Sequence, residues 1–171
     1  VLRFIMSGTF MPFLAYVVAR VAFRTERTVR PVLFLVTVLA AYSALVSILQ
    51  FTGPAALVWP SYILDSHTWD HRAVGIFNQP VVNGLVMVAG FVTAMFLARE
   101  RSLGMPARVA ALLVAGLCVP GIYLTHTRAV WLVFGLAVVV CAIFASGARA
   151  GFVVTLVGAL AFISLTWTTF T

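Results

Sequence analysis

The 171 residues are 63% hydrophobic and 9% charged with a mean hydropathy of +1.13, which excludes an ordinary water-soluble domain, where roughly a quarter of residues are charged. At about 20 apolar residues per crossing, the chain has room for six or seven membrane helices and no separate soluble domain. Its formal charge of +7 comes from arginine, without lysine, in short clusters between apolar runs; a continuous nucleic-acid-binding face is therefore excluded.

The runs Phe4 to Ala19, Val32 to Phe51, Val81 to Ala98, Val109 to Leu124, Ala129 to Ser146 and Phe152 to Phe170 predict six transmembrane helices, because only helices satisfy their own peptide groups in lipid. Pro12, Gly90, Gly116, Pro120, Gly121, Gly135 and Gly158 fall inside them and are tolerated there as kinks or close-packing points. Cys118 and Cys141 also lie in apolar runs and read as small buried hydrophobes, with neither a disulfide framework nor a metal motif around them. The fold class expected is all-α, a polytopic helix bundle forming a single transmembrane domain over residues 1–171. The first run begins without a basic n-region or a cleavage site, residue 1 is Val, and the last run reaches the end; the expectation is the core fragment of a longer membrane enzyme.

Loop charges set the orientation. Arg20, Arg24, Arg27 and Arg30 lie in the first loop, Arg99, Arg101 and Arg108 in the third and Arg149 in the fifth, whereas Arg3, Arg72 and Arg128 lie on the other side. Eight against three places the odd-numbered loops in the cytoplasm and both termini outside. The second loop, Thr52 to Pro80, is the long outer one. It opens at Gly53 and Pro54, and its aromatics Trp59, Tyr62 and Trp69 suit an interfacial segment. The fourth loop, Leu124 to Ala129, is tight and holds Arg128 at a helix end.

Arg72 and Arg128 thus stand on the outer side, against the majority. Arginine holds phosphate through a planar fork that stays charged and donates two parallel hydrogen bonds, so two of them converging would fit a pyrophosphate. The plainer reading is that each snorkels to lipid phosphates. Their flanks favour a site. Arg72 opens RAVGIFNQPVVNG, with Gly75 and Pro80 breaking regular structure and Asn78, Gln79 and Asn83 supplying amides where a helix begins; Arg128 lies in LTHTRAVWL, where Thr125, His126 and Thr127 play the same part. Helix N-termini of this kind favour anions. The candidate site is therefore Arg72 and Arg128 as the groups acting on the anion, with Gly75, Asn78, His126 and Thr127 as substrate-binding residues.

The pair R-x-x-G-x-F-N-x-P, at Arg72 to Pro80, and T-x-T-R-A-x-W-L, at Thr125 to Leu132, resembles the two signature regions of the O-antigen ligase and polymerase superfamily of bacterial envelope enzymes. The likeness covers residues 65 to 135. Thr127-Arg128-Ala129 stands where the family shows Ser-Arg-Gly or Ser-Arg-Ala, and Asn78-Gln79-Pro80 with a displaced Asn83 where it often shows Asn-Pro-Asn. The resemblance implies a multi-pass protein of the bacterial cytoplasmic membrane whose site is on the outer face. Arg72 and Arg128 would hold the pyrophosphate of a polyprenyl-linked glycan, which is transferred to a glycan, lipid or protein acceptor without a metal or other cofactor. The family's base is a histidine in an outer loop following the spans that correspond to these.

Other chemistry is weaker. His67 and His71 share a helical face only if that segment is helical, HTWDH lacks the glutamate of the HExxH pattern, and no third zinc ligand is placed. Asp65 and Asp70 are too far apart for an Asp-x-Asp metal pair, and Asp70 beside Arg72 reads as a surface ion pair. His126 reads equally as a phosphate contact or as a loop-end histidine bonded to a nearby carbonyl. No span carries an ionisable residue near its middle, which argues against a proton-coupled pump. Trp131 and Phe134 read as packing. The competing class is a non-enzymatic membrane protein, a flippase or channel subunit or a structural partner.

Overall fold

The computed structural model describes residues 10–22, 25–64, 67–69 and 71–170. These are all helical or irregular, with no strand among them. Six α-helices follow in order: α1 (Met11–Ala22), α2 (Glu26–Thr52), α3 (Pro80–Arg99), α4 (Met105–Leu124), α5 (Arg128–Phe144) and α6 (Arg149–Phe170). The chain divides into two compact units, Val1–Leu33 and Phe34–Thr171. In the first unit, α1 carries Arg20 in its last turn, where a cation suits the helix dipole. The opening of α2 is fixed by the Thr25 carbonyl, which accepts the N–H groups of Thr28 and Val29 at 3.0 and 3.2 Å. That turn lets the helix start at Glu26, six residues before the apolar run at Val32.

Among the described residues three helices are long and apolar enough to cross a membrane, Arg27–Thr52, Pro80–Arg99 and Met105–Leu124, where the sequence predicts six of bilayer length. α5 is shorter: its 17 residues, at ~1.5 Å per residue, reach about 26 Å against a hydrocarbon core of about 30 Å.

In the second unit α3 is the central element. Fifty-six per cent of its apolar window is buried, against 28% for α4. Its buried residues cover about half of the helix, and Val82, Leu85, Ala89 and Phe96 form an exposed stripe on the other half. Small residues allow the close approach. Thr37 bonds Thr93 at 2.9 Å, Gly90 abuts Ala40 and Ser43 bonds Asn83, an antiparallel register between α2 and α3. A Cβ on Gly90 would lie 1.9 Å from that of Ala40, and one on Gly84 would lie 2.5 Å from Val130 of α5. Phe91 anchors the core, edge-on to Phe134 of α5 at 5.0 Å and to Phe152 of α6 at 6.0 Å. Trp131 and Phe134 are therefore packing residues, as the sequence suggests. Cys118 is a buried free thiol and Cys141 a half-buried one.

The segment between α2 and α3 is built of single 3₁₀ turns, Ala55–Leu57, Ser61–Ile63, His67–Trp69 and Gly75–Phe77. It is no loose loop. Val58, Ile63 and Val74 bury themselves with Val46 of α2 in a second, small core, while Leu57, Trp59, Tyr62 and Leu64 remain exposed. The Tyr42 hydroxyl donates to the Trp59 carbonyl at 2.8 Å, and Tyr62 donates to the carbonyl of Ile76.

Replacing Gly90 by Leu should force α2 and α3 apart and destabilise the protein by about 1–3 kcal/mol or more, as overpacking does. Gly158→Ala, where the added Cβ meets no atom within 4 Å, should cause no loss of stability. Thermal unfolding of both variants in detergent micelles checks this pair.

Candidate functional site

Segments far apart in sequence meet at the end of the bundle where α3 and α5 begin. The Ala73 N–H donates to the Leu124 carbonyl at 2.9 Å, and Nδ1 of His126 bonds the His71 carbonyl at 2.6 Å. Because a carbonyl only accepts, that ring nitrogen carries the proton. The two bonds bracket Arg72 and bring its chain beside the turn that leads into Arg128. The two arginine loops singled out in the sequence are thus neighbours.

Buried amides hold this geometry. Asn83, one turn into α3, is fully buried; its Oδ1 accepts from the Ser43 hydroxyl at 2.7 Å, and its Nδ2 donates to Ser47 Oγ at 2.8 Å and to the Ala73 carbonyl at 3.2 Å. Ser47 in turn donates to the Ser43 carbonyl at 2.7 Å. Gln50, one turn further along α2, clamps the same strand-like piece: Nε2 donates to the Arg72 carbonyl and Oε1 accepts the Val74 N–H, both at 3.2 Å. Among the described residues, no buried side-chain nitrogen or oxygen lacks a partner. Burying such amides is tolerable only when every polar atom is matched, so the network specifies one arrangement of α2, α3 and the 72–74 segment.

Left-handed backbone shapes the loops. His71, Asn78 and His126 have φ of 60°, 51° and 45°, and Gly75 has φ of 54°. His71 and His126 are the two ends of the cross-loop bond, so both loops turn sharply where they meet. Glycine is required at position 75 on a second count, because a Cβ there would lie 2.1 Å from Asn83 Oδ1.

The sequence-derived candidates fall into different places. Arg72 and Arg128 are both exposed, Arg72 with its guanidinium 5.9 Å from the Trp69 ring centre and Arg128 as the first residue of α5. Among the described residues neither guanidinium has a hydrogen-bond acceptor or an ion-pair partner. His126 is exposed, edge-on to Phe51 at 5.9 Å and to Tyr123 at 5.7 Å. The nearby carbonyl it bonds belongs to the other loop.

Thr127 is half-buried and donates to the Thr125 carbonyl at 2.9 Å, so it leaves the first turn of α5 without a side-chain cap. Asn78 is exposed and ends the last 3₁₀ turn, and Gln79 precedes α3 without capping it. Gly75 and Asn83 are buried supports. Asp65 and Asp70 lie outside the described residues. Gln50, Ser43 and Ser47 have no distinguishing motif; the only hint in sequence is that they recur on one face of an apolar helix at intervals of three and four.

The other end of the unit treats its arginines differently. Arg99 donates Nε to Gly147 O, Arg108 donates Nε to Ala98 O, and Arg149 donates to Ile143 O, each at 2.9 Å. These bonds satisfy carbonyls at and just beyond helix C-termini, which have no partner within the helix. Arg72, in the irregular segment eight residues before α3, and Arg128, the first residue of α5, make no such bond among the described residues.

Asn83→Ala should cost about 1–3 kcal/mol through the polar groups it leaves unmatched. Arg72→Ala should change stability by less than about 0.5 kcal/mol, as for an exposed surface residue. Unfolding midpoints measured in one detergent separate the support from the exposed charge.

No protein-family model, no curated protein and no solved structure matches this chain.

Proposed function

We propose that the chain is the membrane core of a glycan transferase that accepts a polyprenyl-pyrophosphate-linked donor at the outer face of the bacterial cytoplasmic membrane. In this reading all six helices cross the bilayer, the Arg72 and Arg128 end faces outward, and the 53–79 segment lies in the interface. The observation that carries it is the cross-loop pairing of His126 with His71 and of Ala73 with Leu124, which puts two arginines without an acceptor among the described residues on neighbouring loops. The resemblance of their flanks to the O-antigen ligase and polymerase superfamily supplies the chemistry.

Transfer of the glycan breaks the bond between the sugar's anomeric carbon and the pyrophosphate oxygen. Negative charge grows on that oxygen as the bond lengthens. Arg72 and Arg128 would stabilise it, together with the uncapped first turn of α5, and fixed positive charge of this kind needs no reorganisation as the reaction proceeds. Asn78 and Thr127 border the same end, and the acceptor hydroxyl attacks the anomeric carbon as its proton passes to a base. The network of Gln50 and Asn83 would keep the Arg72 loop from collapsing toward the bundle.

Membranes containing the full-length protein, given a polyprenyl-pyrophosphate oligosaccharide and an acceptor glycan, should form the transferred product. Arg72→Ala and Arg128→Ala should each lower the rate by on the order of 10²–10³-fold, the loss seen when one charge-stabilising donor is removed, with membrane insertion unchanged. Full transfer by both variants, or donor binding with no transfer by the unaltered protein, would overturn the reading; the latter would place the chain among non-enzymatic membrane subunits.

A further inference from the structure

The opposite end of the bundle carries a feature that glycan transfer does not use. A groove of 480 Å³ runs between α4 and α6, floored by Phe91, Met95 and Ala98 of α3. Its walls include Gly116 and Val119 on α4 and Val154 on α6, and Arg99 and Arg108 stand at one end. The floor is almost wholly buried, whereas Val154 is 71% exposed, so the groove opens sideways from the bundle. Gly116 keeps it open: a Cβ there would meet no atom within 4 Å.

Dimensions and charge identify an occupant. From Arg108 to Val119 is eleven residues of α4, about 16 Å at ~1.5 Å per residue, close to half of the roughly 30 Å hydrocarbon core. The groove therefore runs through about one leaflet, apolar along its length and cationic at the end where headgroups lie. Arg99 and Arg108 each commit Nε to a backbone carbonyl, which holds the guanidinium in place and leaves its other N–H donors for a phosphate. Beside Arg99, the Glu100 carboxylate accepts from the Ser102 N–H and hydroxyl at 3.2 and 2.7 Å.

We propose that this groove is a binding site for an anionic phospholipid of the leaflet at the Arg99 end, with one acyl chain between α4 and α6 and the phosphate at Arg99 and Arg108. Basic pockets between membrane helices select such headgroups. The site rests on α4 crossing the bilayer and is independent of any reaction at the Arg72 end.

The protein is reconstituted in bilayers of equal parts phosphatidylglycerol and phosphatidylcholine, extracted in mild detergent, and its retained lipid is weighed by native mass spectrometry. Phosphatidylglycerol should exceed phosphatidylcholine by on the order of tenfold. Arg108→Gln should reduce that ratio severalfold and Arg108→Lys should keep most of it, while Gly116→Leu, whose Cβ meets no protein atom within 4 Å and whose side chain occupies the groove, should strip both lipids. Arg101→Gln, outside the groove, should leave the ratio unchanged. Equal retention of the two lipids by the unaltered protein, an Arg101→Gln loss as large as that of Arg108→Gln, or undiminished retention in Gly116→Leu would overturn the site.

Discussion

The amide of Asn83 is a fully buried polar group in an apolar bundle, and the rest of the candidate site follows from its need for partners. Two serines on α2 and the carbonyl of Ala73 meet that need. Satisfying it sets the α2–α3 register at that level and draws residue 73 inward, which in turn exposes its neighbour Arg72. Gly75 has no side chain because the same amide occupies the space. Gln50 repeats the device one turn away, so the 72–74 backbone is held on two sides by side chains that leave solvent and ligand outside.

Polar chemistry is thereby divided between the two ends of the second unit. Arg99, the last residue of α3, Arg108, in the first turn of α4, and Arg149, the first residue of α6, each donate to a carbonyl at or just beyond the end of α3 or α5. Arg72 and Arg128 find no such acceptor among the described residues. The glycan-transfer reading and the phospholipid groove draw on this difference, the first through guanidinium groups without a partner among the described residues and the second through ones tethered by a single bond.

Much of the architecture was legible in the residues. The six apolar runs became six helices, and Pro80 and Arg128 begin α3 and α5 within a residue of their runs. α2 started earlier than hydropathy suggests, since Thr25 can open a helix whose first turns are polar. The 53–79 segment read as an interfacial excursion, and its exposed Trp59 and Tyr62 agree in character; its burial of Val58, Ile63 and Val74 against α2 was not visible, because three isolated apolar residues have no period. Gly75 is buried against Asn83, and Asn83, noted in the sequence only as an amide at a helix start and not among the substrate-binding candidates, is the organising group.

Composition and helical period by themselves determined that the chain is all-helical and apolar enough for a membrane, and where its breaks fall, because burial of peptide groups in lipid leaves the backbone one solution. Arginine counts gave the ends their different character. Only the tertiary structure brought His126 to His71 and Leu124 to Ala73, across more than fifty residues, and only it showed which amides face inward. Those facts depend on packing between helices, where small residues set the spacing and each buried polar atom must find a partner, and no local pattern encodes which partner that is.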